Sequence, residues 1–201
     1  KDLDDAVSLK KNEKGNFVLG VHIADVSEFV REGMALDAEA LSRGNSIYLI
    51  DHVVPMLPVL LSNKLCSLNE GEDRLTLSCI MEIDKSGKVV EYKICESVIK
   101  SSARFVYDDV SNFLENGRGS AKVSAHGDML RDMQELAEIL RKAREELGSI
   151  DFDIDEAEFE IDKDGVPIDI FLSERRTANR LIEEFMLIAN KTVAEHYFWM
   201  E

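Results

Sequence analysis

Twice along this chain the same turn chemistry stands between strand-like runs. Glu82-Ile83-Asp84-Lys85-Ser86-Gly87 and Glu160-Ile161-Asp162-Lys163-Asp164-Gly165 both read as β-hairpins with a Gly-containing turn. A short turn of this kind joins antiparallel neighbours, which confines the chain to folds containing such ribbons. Helical stripes supply the second constraint. From about Asp128 to Leu147, Met129, Met133, Leu136, Ile139, Leu140 and Leu147 recur at helical spacing, and Gly148 ends the run. A last helix is expected from about Thr177 onward. The expected class is therefore α+β: a mixed or antiparallel sheet with hairpins, packed against several helices.

Shorter elements fit between these. Gly15 and Asn16 make a turn before a strand at Phe17–Val26, rich in β-branched and aromatic residues. A helix is expected over about Ala35–Arg43, ended by Gly44. Ser46–Ile50 reads as a short strand, Pro55-Met56-Leu57-Pro58 as stiff extended chain, and Val59–Leu65 as a short helix. Asp108–Asn116 suggests a helix capped by an Asp. Asp151-Phe152-Asp153-Ile154-Asp155 alternates acid and apolar residues, the pattern of a strand with one wet face.

The 201 residues, 45% hydrophobic and 32% charged, suffice for one domain with a real core, and no Pro/Gly/Ser-rich linker divides them. Lys1 is not Met, and the chain closes on an apolar helical face with no stop signal. One domain, 1–201, cut from a longer protein at both ends, is the expectation. No apolar stretch reaches the roughly 20 residues needed to cross a bilayer, which argues against a membrane protein. Cys66, Cys79 and Cys95 are odd in number and lack metal-ligand spacing, which favours a reduced, cytoplasmic protein. Forty acids against 24 bases give a formal charge of −16. That balance argues against a general nucleic-acid-binding surface, because phosphate contacts need Lys and Arg.

Chemistry is most concentrated at Asp2-Leu3-Asp4-Asp5. Three carboxylates within four residues cannot all ionise cheaply without a compensating cation. Such oxygen-rich sets suit Mg²⁺, which takes a few carboxylates, waters and substrate phosphate oxygens. In extended chain Asp2 and Asp4 point one way and Asp5 the other, so convergence needs a bend. Taken alone, the commoner reading is a solvated acidic segment. A calcium loop is not indicated, because its mid-loop Gly and terminal Glu are missing.

The context changes that balance. Lys1-Asp2-Leu3-Asp4-Asp5-Ala6-Val7 is followed by His22-Ile23-Ala24-Asp25-Val26-Ser27, Arg43-Gly44-Asn45-Ser46-Ile47-Tyr48-Leu49 and Pro55-Met56-Leu57-Pro58. Then come Leu61-Ser62, Leu65-Cys66-Ser67-Leu68, Asp73-Arg74-Leu75, and the run from Ala178-Asn179-Arg180 through Glu183-Glu184 to Asn190. In this order over nearly the whole chain, these strings resemble the catalytic (RNB) domain of the ribonuclease II/ribonuclease R family. Ser46-Ile47-Tyr48 and Ile150-Asp151-Phe152 lean toward its ribonuclease R branch.

The resemblance implies a 3′→5′ exoribonuclease that hydrolyses RNA from its 3′ end to 5′-nucleoside monophosphates. Its chemistry would be a two-metal displacement with ions about 3.5–4 Å apart. Mg²⁺ is the expected cofactor, with Mn²⁺ as the alternative. Asp2, Asp4 and Asp5 match metal and catalytic positions. Tyr48, and with it Phe152, match aromatic rings that clamp RNA bases. Glu183 and Glu184 lie in an apolar helix that carries a functional glutamate, and which of the two it is stays open. The ordinary reading of that pair is an i,i+4 ion pair of Arg180 with Glu184. The expected partner is the 3′ end of single-stranded RNA. OB-fold RNA-binding domains belong to the expected full-length parent, and neither they nor a Ser-Pro-Ile-Arg-type segment is found here. The fragment alone is therefore expected to be weak or inactive, and a catalytically silent RNA- or protein-binding relative is the alternative. Arg43, Arg74, Arg104 and Arg180 are candidate phosphate contacts, although each is individually more often an ion-pair residue. His22 and Asp25 do not share a strand face, so His22 reads as a structural histidine.

Overall fold

The computed structural model describes residues 3–50, 52–150, 156–162 and 166–200. The chain opens with β1 (Asp5–Lys11) and β2 (Phe17–Ala24), then α1 (Ala35–Arg43), the two-residue strands β3 (Ile47–Tyr48) and β4 (Val53–Val54), β5 (Asp73–Ile83) and β6 (Val89–Lys100). Three helices follow: α2 (Tyr107–Asn116), α3 (Ala121–Ala125) and α4 (Gly127–Glu146). The hairpin β7 (Glu156–Ile161) and β8 (Pro167–Ser173) then leads into α5 (Thr177–Phe198). The main sheet has the order β1-β2-β5-β6, and every pair in it is antiparallel.

The register places apolar residues in rows on one face. Val7, Val21, Cys79 and Ile94 form one row, and Leu9, Leu19 and Met81 the next. α4 brings Leu130, Met133, Leu136 and Leu140 against these rows, and α5 brings Leu181, Phe185 and Ala189. Phe17, Leu19, Met81, Ile83, Leu136 and Phe185 are fully buried. Each such side chain contributes about 1.5–3 kcal/mol relative to exposure, so this layer holds the sheet to the helices.

Both hairpins share the turn chemistry their sequences share. Asp84 Oδ1 accepts from the Lys88 amide at 3.1 Å, and Asp162 Oδ1 accepts from the Val166 amide at 2.9 Å. Main-chain bonds Asp84 N–H to Lys88 O and Asp162 N–H to Val166 O close the same loops, at 3.0 and 2.9 Å. In each hairpin the register shifts at the Glu-Ile step before the turn.

Two expectations need correction. α2 begins at Tyr107 behind an uncapped Val106, so Asp108 and Asp109 sit in its first turn and not at the cap. There they still complement the positive end of the helix. The strand expected over Ser46–Ile50 shrinks to Ile47–Tyr48. Its partner stops at Val54, because Pro55 has no N–H to extend a ladder. Arg43 and Ser46 side chains bond the Pro55 carbonyl and the Met56 amide instead. The short helix expected over Val59–Leu65 is present: residues 59–60 are helical and run into a π-type turn at Leu61–Leu65. A short helix that periodicity did not reveal, α3, is capped by Ser120, whose Oγ accepts from the Val123 amide at 3.3 Å. The alternating Asp151–Asp155 run lies outside the described residues.

The sheet face turned away from α4 and α5 carries a polar line. His22 Nε2 meets Ser8 Oγ at 3.1 Å, and its Nδ1 meets Ser78 Oγ at 2.7 Å. Ser78 reaches Ser97 at 2.5 Å, and Ser97 reaches Thr76 at 2.8 Å. Gly20 makes room for it: a Cβ there would stand 2.5 Å from Ser8 Oγ and 2.7 Å from His22 Nε2. Gly20→Ala is expected to lower stability by about 1–3 kcal/mol through this overpacking. Urea denaturation measures it, and a midpoint equal to wild type would show that the polar line yields freely.

Candidate active site

The acidic segment is fixed by main-chain bonds. The Leu68 amide donates to Leu3 O at 2.8 Å, and the Ala24 amide donates to Asp4 O at 2.9 Å. Asp5 then opens β1 opposite Ile23. Both carboxylates are exposed. Asp2 lies outside the described residues. Among the described residues no three His, Cys, Asp or Glu side chains converge into a metal cage. Asp4 and Asp5 are oxygen donors of the kind Mg²⁺ takes, one or two carboxylates with waters and substrate phosphates completing its shell.

The Asp5 charge is felt by an aromatic residue that sequence reasoning missed. Burial, and then the Asp5 charge, raise the Tyr107 hydroxyl above its ordinary pKa. Tyr107 begins α2, and one turn later Ser111 Oγ accepts from the Ala178 amide at 3.1 Å. α2 is thus tied to the start of α5, and its first residue lies within electrostatic reach of Asp5. Nothing local in the sequence marks Tyr107, because the pairing is wholly tertiary.

The two glutamates of α5 lead different lives. Glu184 is buried and accepts from Arg144 Nη2 at 2.6 Å and Nε at 3.3 Å, while Arg144 Nη1 also donates to Ser149 Oγ at 2.6 Å. Glu183 is partly exposed and takes Arg175 through Nη2 at 2.5 Å and Nε at 3.0 Å. The i,i+4 pairing of Arg180 with Glu184 is therefore replaced: Arg144, from α4, holds that carboxylate. A carboxylate inside an apolar helix signals that a cation must come, but not which one.

Tyr48 stands on the β3–β4 ribbon with 73% of its surface exposed, so its ring is not a core element. Phe152 lies outside the described residues. Two of the candidate phosphate arginines are occupied locally. Arg74 Nε donates to the Ser67 and Lys64 carbonyls at 2.9 and 3.1 Å, and its fork pairs with Glu72. Arg43 pairs with Glu39 at 2.8 Å.

His22 is the structural histidine the sequence implied, and burial lowers its pKa. As pH falls, the unfolded chain takes up this proton first. The stabilising contribution is complete above the unfolded value of about 6.5 and is lost as pH drops toward the folded value. His22→Asn should therefore show a smaller fall in Tm than wild type between about pH 7.5 and about pH 5.5. Parallel Tm–pH curves would overturn this.

The RNB domain family model matches residues 1–200. The chain belongs to the RNB family. Ribonuclease R of Thermotoga maritima is 53% identical over 196 residues, covering 97% of this chain and 28% of that protein. Mycoplasma genitalium RNase R in complex with ribose methylated single-stranded RNA superposes with a TM-score of 0.90 at 37% identity, over 96% of this chain and 30% of that one. The same enzyme with double-stranded RNA gives the same TM-score and identity and is covered over 34% of its length. The RNB chain thus spans less than a third of the length of the Thermotoga maritima protein, and its α+β fold is the one the Mycoplasma genitalium structures share. Among its described residues no helix is long and apolar enough to cross a membrane, and Cys66, Cys79 and Cys95 form no disulfide.

Proposed function

We propose that residues 1–201 form part of the catalytic unit of a 3′→5′ exoribonuclease of the ribonuclease R type, acting in the cytoplasm on the 3′ end of single-stranded RNA. The observation that carries this reading is the family match over 1–200 to a chain that presents Asp4 and Asp5 exposed, at a strand end held by main-chain bonds. A bound Mg²⁺ or Mn²⁺ would polarise the scissile phosphate and supply an ionised water at neutral pH. Asp4 and Asp5, with Asp2, provide the anionic oxygens for it. Glu183, the more exposed of the α5 pair and held in place by Arg175, is the candidate functional glutamate, and Glu184 serves the packing of α4 on α5. Tyr48 offers a face on which successive bases stack, worth about 1–3 kcal/mol per base and indifferent to sequence. OB-fold domains elsewhere in the parent protein would supply the basic surface that a chain of −16 lacks.

The test is hydrolysis of a single-stranded oligoribonucleotide by the full-length protein. Release of 5′-nucleoside monophosphates that needs Mg²⁺ or Mn²⁺ supports the reading. RNA binding without release, with metal supplied, indicates the catalytically silent alternative. The isolated chain is expected to release little or nothing.

A further inference from the structure

Arginines gather around the N-terminal half of α5, in a chain that is otherwise strongly acidic. Arg144 is held by Glu184 and Arg175 by Glu183. Arg176 donates to Glu115 at 2.7 Å and to Asp108 at 3.3 Å. Arg180 is the exception. It lies one turn beyond Arg176, at helical spacing from both Glu183 and Glu184, yet both carboxylates are taken by other guanidinium groups. Among the described residues its Nε is a buried N–H with no hydrogen-bond partner.

A guanidinium cannot shed its charge to escape this position. The partner that would satisfy it is an anion with oxygens matching the planar fork, and a phosphate matches. The location agrees. Arg180 sits in the first turns of the long helix α5, where the axial dipole favours negative charge. The same helix end contacts α2, whose first residue, Tyr107, feels the Asp5 carboxylate. The acidic chain repels polyanions in general, so an arginine left unneutralised by its neighbours acts as a specific contact.

We propose that Arg180 binds a phosphodiester oxygen of the RNA strand. This rests on the exoribonuclease reading above. Arg180 would be the guanidinium of the α5 cluster reserved for substrate, while Arg144, Arg175 and Arg176 hold the fold.

The experiment is equilibrium binding of a single-stranded oligoribonucleotide to the full-length protein, in EDTA to prevent cleavage, across a salt series. Arg180→Gln is expected to weaken binding about tenfold. It should also flatten the dependence of log K on log salt by about 0.7, the signature of one lost phosphate contact on a single strand. Arg180→Lys keeps the charge and should keep the slope while losing part of the affinity. An Arg180→Gln protein with wild-type affinity and slope overturns the proposal. So does a lysine variant that loses slope and Tm as fully as the glutamine variant, since that marks a packing role. If wild type binds RNA and releases mononucleotides in metal while Arg180→Gln keeps the wild-type slope, this inference alone fails. If wild type neither binds nor hydrolyses RNA, the exoribonuclease reading fails with it.

Discussion

Asp5→Asn in the full-length protein is expected to lower metal-dependent mononucleotide release by about a thousandfold, close to 4 kcal/mol on the barrier. The size follows from the role. Groups that merely orient a metal ligand typically cost about 10–100-fold when removed, and a carboxylate bonded directly to the ion should cost more. The substitution is also clean. Asn keeps the shape of Asp and loses only the charge. The Leu68–Leu3 and Ala24–Asp4 main-chain bonds and the pairing of Asp5 with Ile23 use no side-chain atom of Asp5. Because Asp5 is exposed, stability should stay within about 0.5 kcal/mol of wild type. RNA affinity in EDTA should hold or rise slightly, since a negative charge near phosphate has gone. Wild-type release by this variant at saturating Mg²⁺ would remove Asp5 from the chemistry and take the proposed site with it.

Much of the framework is legible in the sequence because it depends on local chemistry. The helix over Ala35–Arg43 ends where Gly44 adopts φ 78°, a conformation other residues resist. The two Asp-containing hairpin turns fold alike because an Asp side chain accepts the same downstream amide in each. The stripe of α4 can be read because its apolar residues share one face. What escapes is set by tertiary contact. β3 is cut short at one end by Pro55, just past its partner, and at the other by the turn in which the Leu49 amide bonds the His52 carbonyl. An Asp at the front of α2 has the chemistry of a cap, but Asp109 Oδ1 accepts from the distant Ser120 amide and the helix starts before Asp108. At the candidate site the Asp4–Asp5 string stands out by residue type. Tyr107 within electrostatic reach of Asp5, and Arg144 paired with Glu184, emerge only once the helices are packed. The spacing rule that pairs i with i+4 on a helix suggests Arg180 for Glu184, and a neighbouring helix supplies a better-placed guanidinium.

That exchange of partners has an energetic consequence. Glu184 is 6% exposed at its side chain and Arg144 is 26% exposed. Removing one member of such a pair strands the other, and the two are not equally stranded. In Glu184→Gln the Arg144 guanidinium keeps Ser149 and some access to water. In Arg144→Ala the Glu184 carboxylate loses its hydrogen bonds from Nε and Nη2 in a site with almost no water. Arg144→Ala should therefore cost about 3–5 kcal/mol, a Tm fall of roughly 6–20 °C for a domain of this size. Glu184→Gln should cost about half of that. Combining Arg144→Met with Glu184→Leu removes both charges and should recover most of the stability, because the pair's desolvation cost disappears with it. Thermal unfolding of these variants beside wild type would establish the order. An Arg144→Ala protein as stable as wild type would show that the pair does not hold α4 to α5. The same set separates structure from chemistry at the two glutamates. If Glu184→Gln retained its Tm but lost hydrolysis, Glu184 would be the functional glutamate, and the α4–α5 contact would rest on the apolar row of Leu136, Leu140, Leu181 and Phe185.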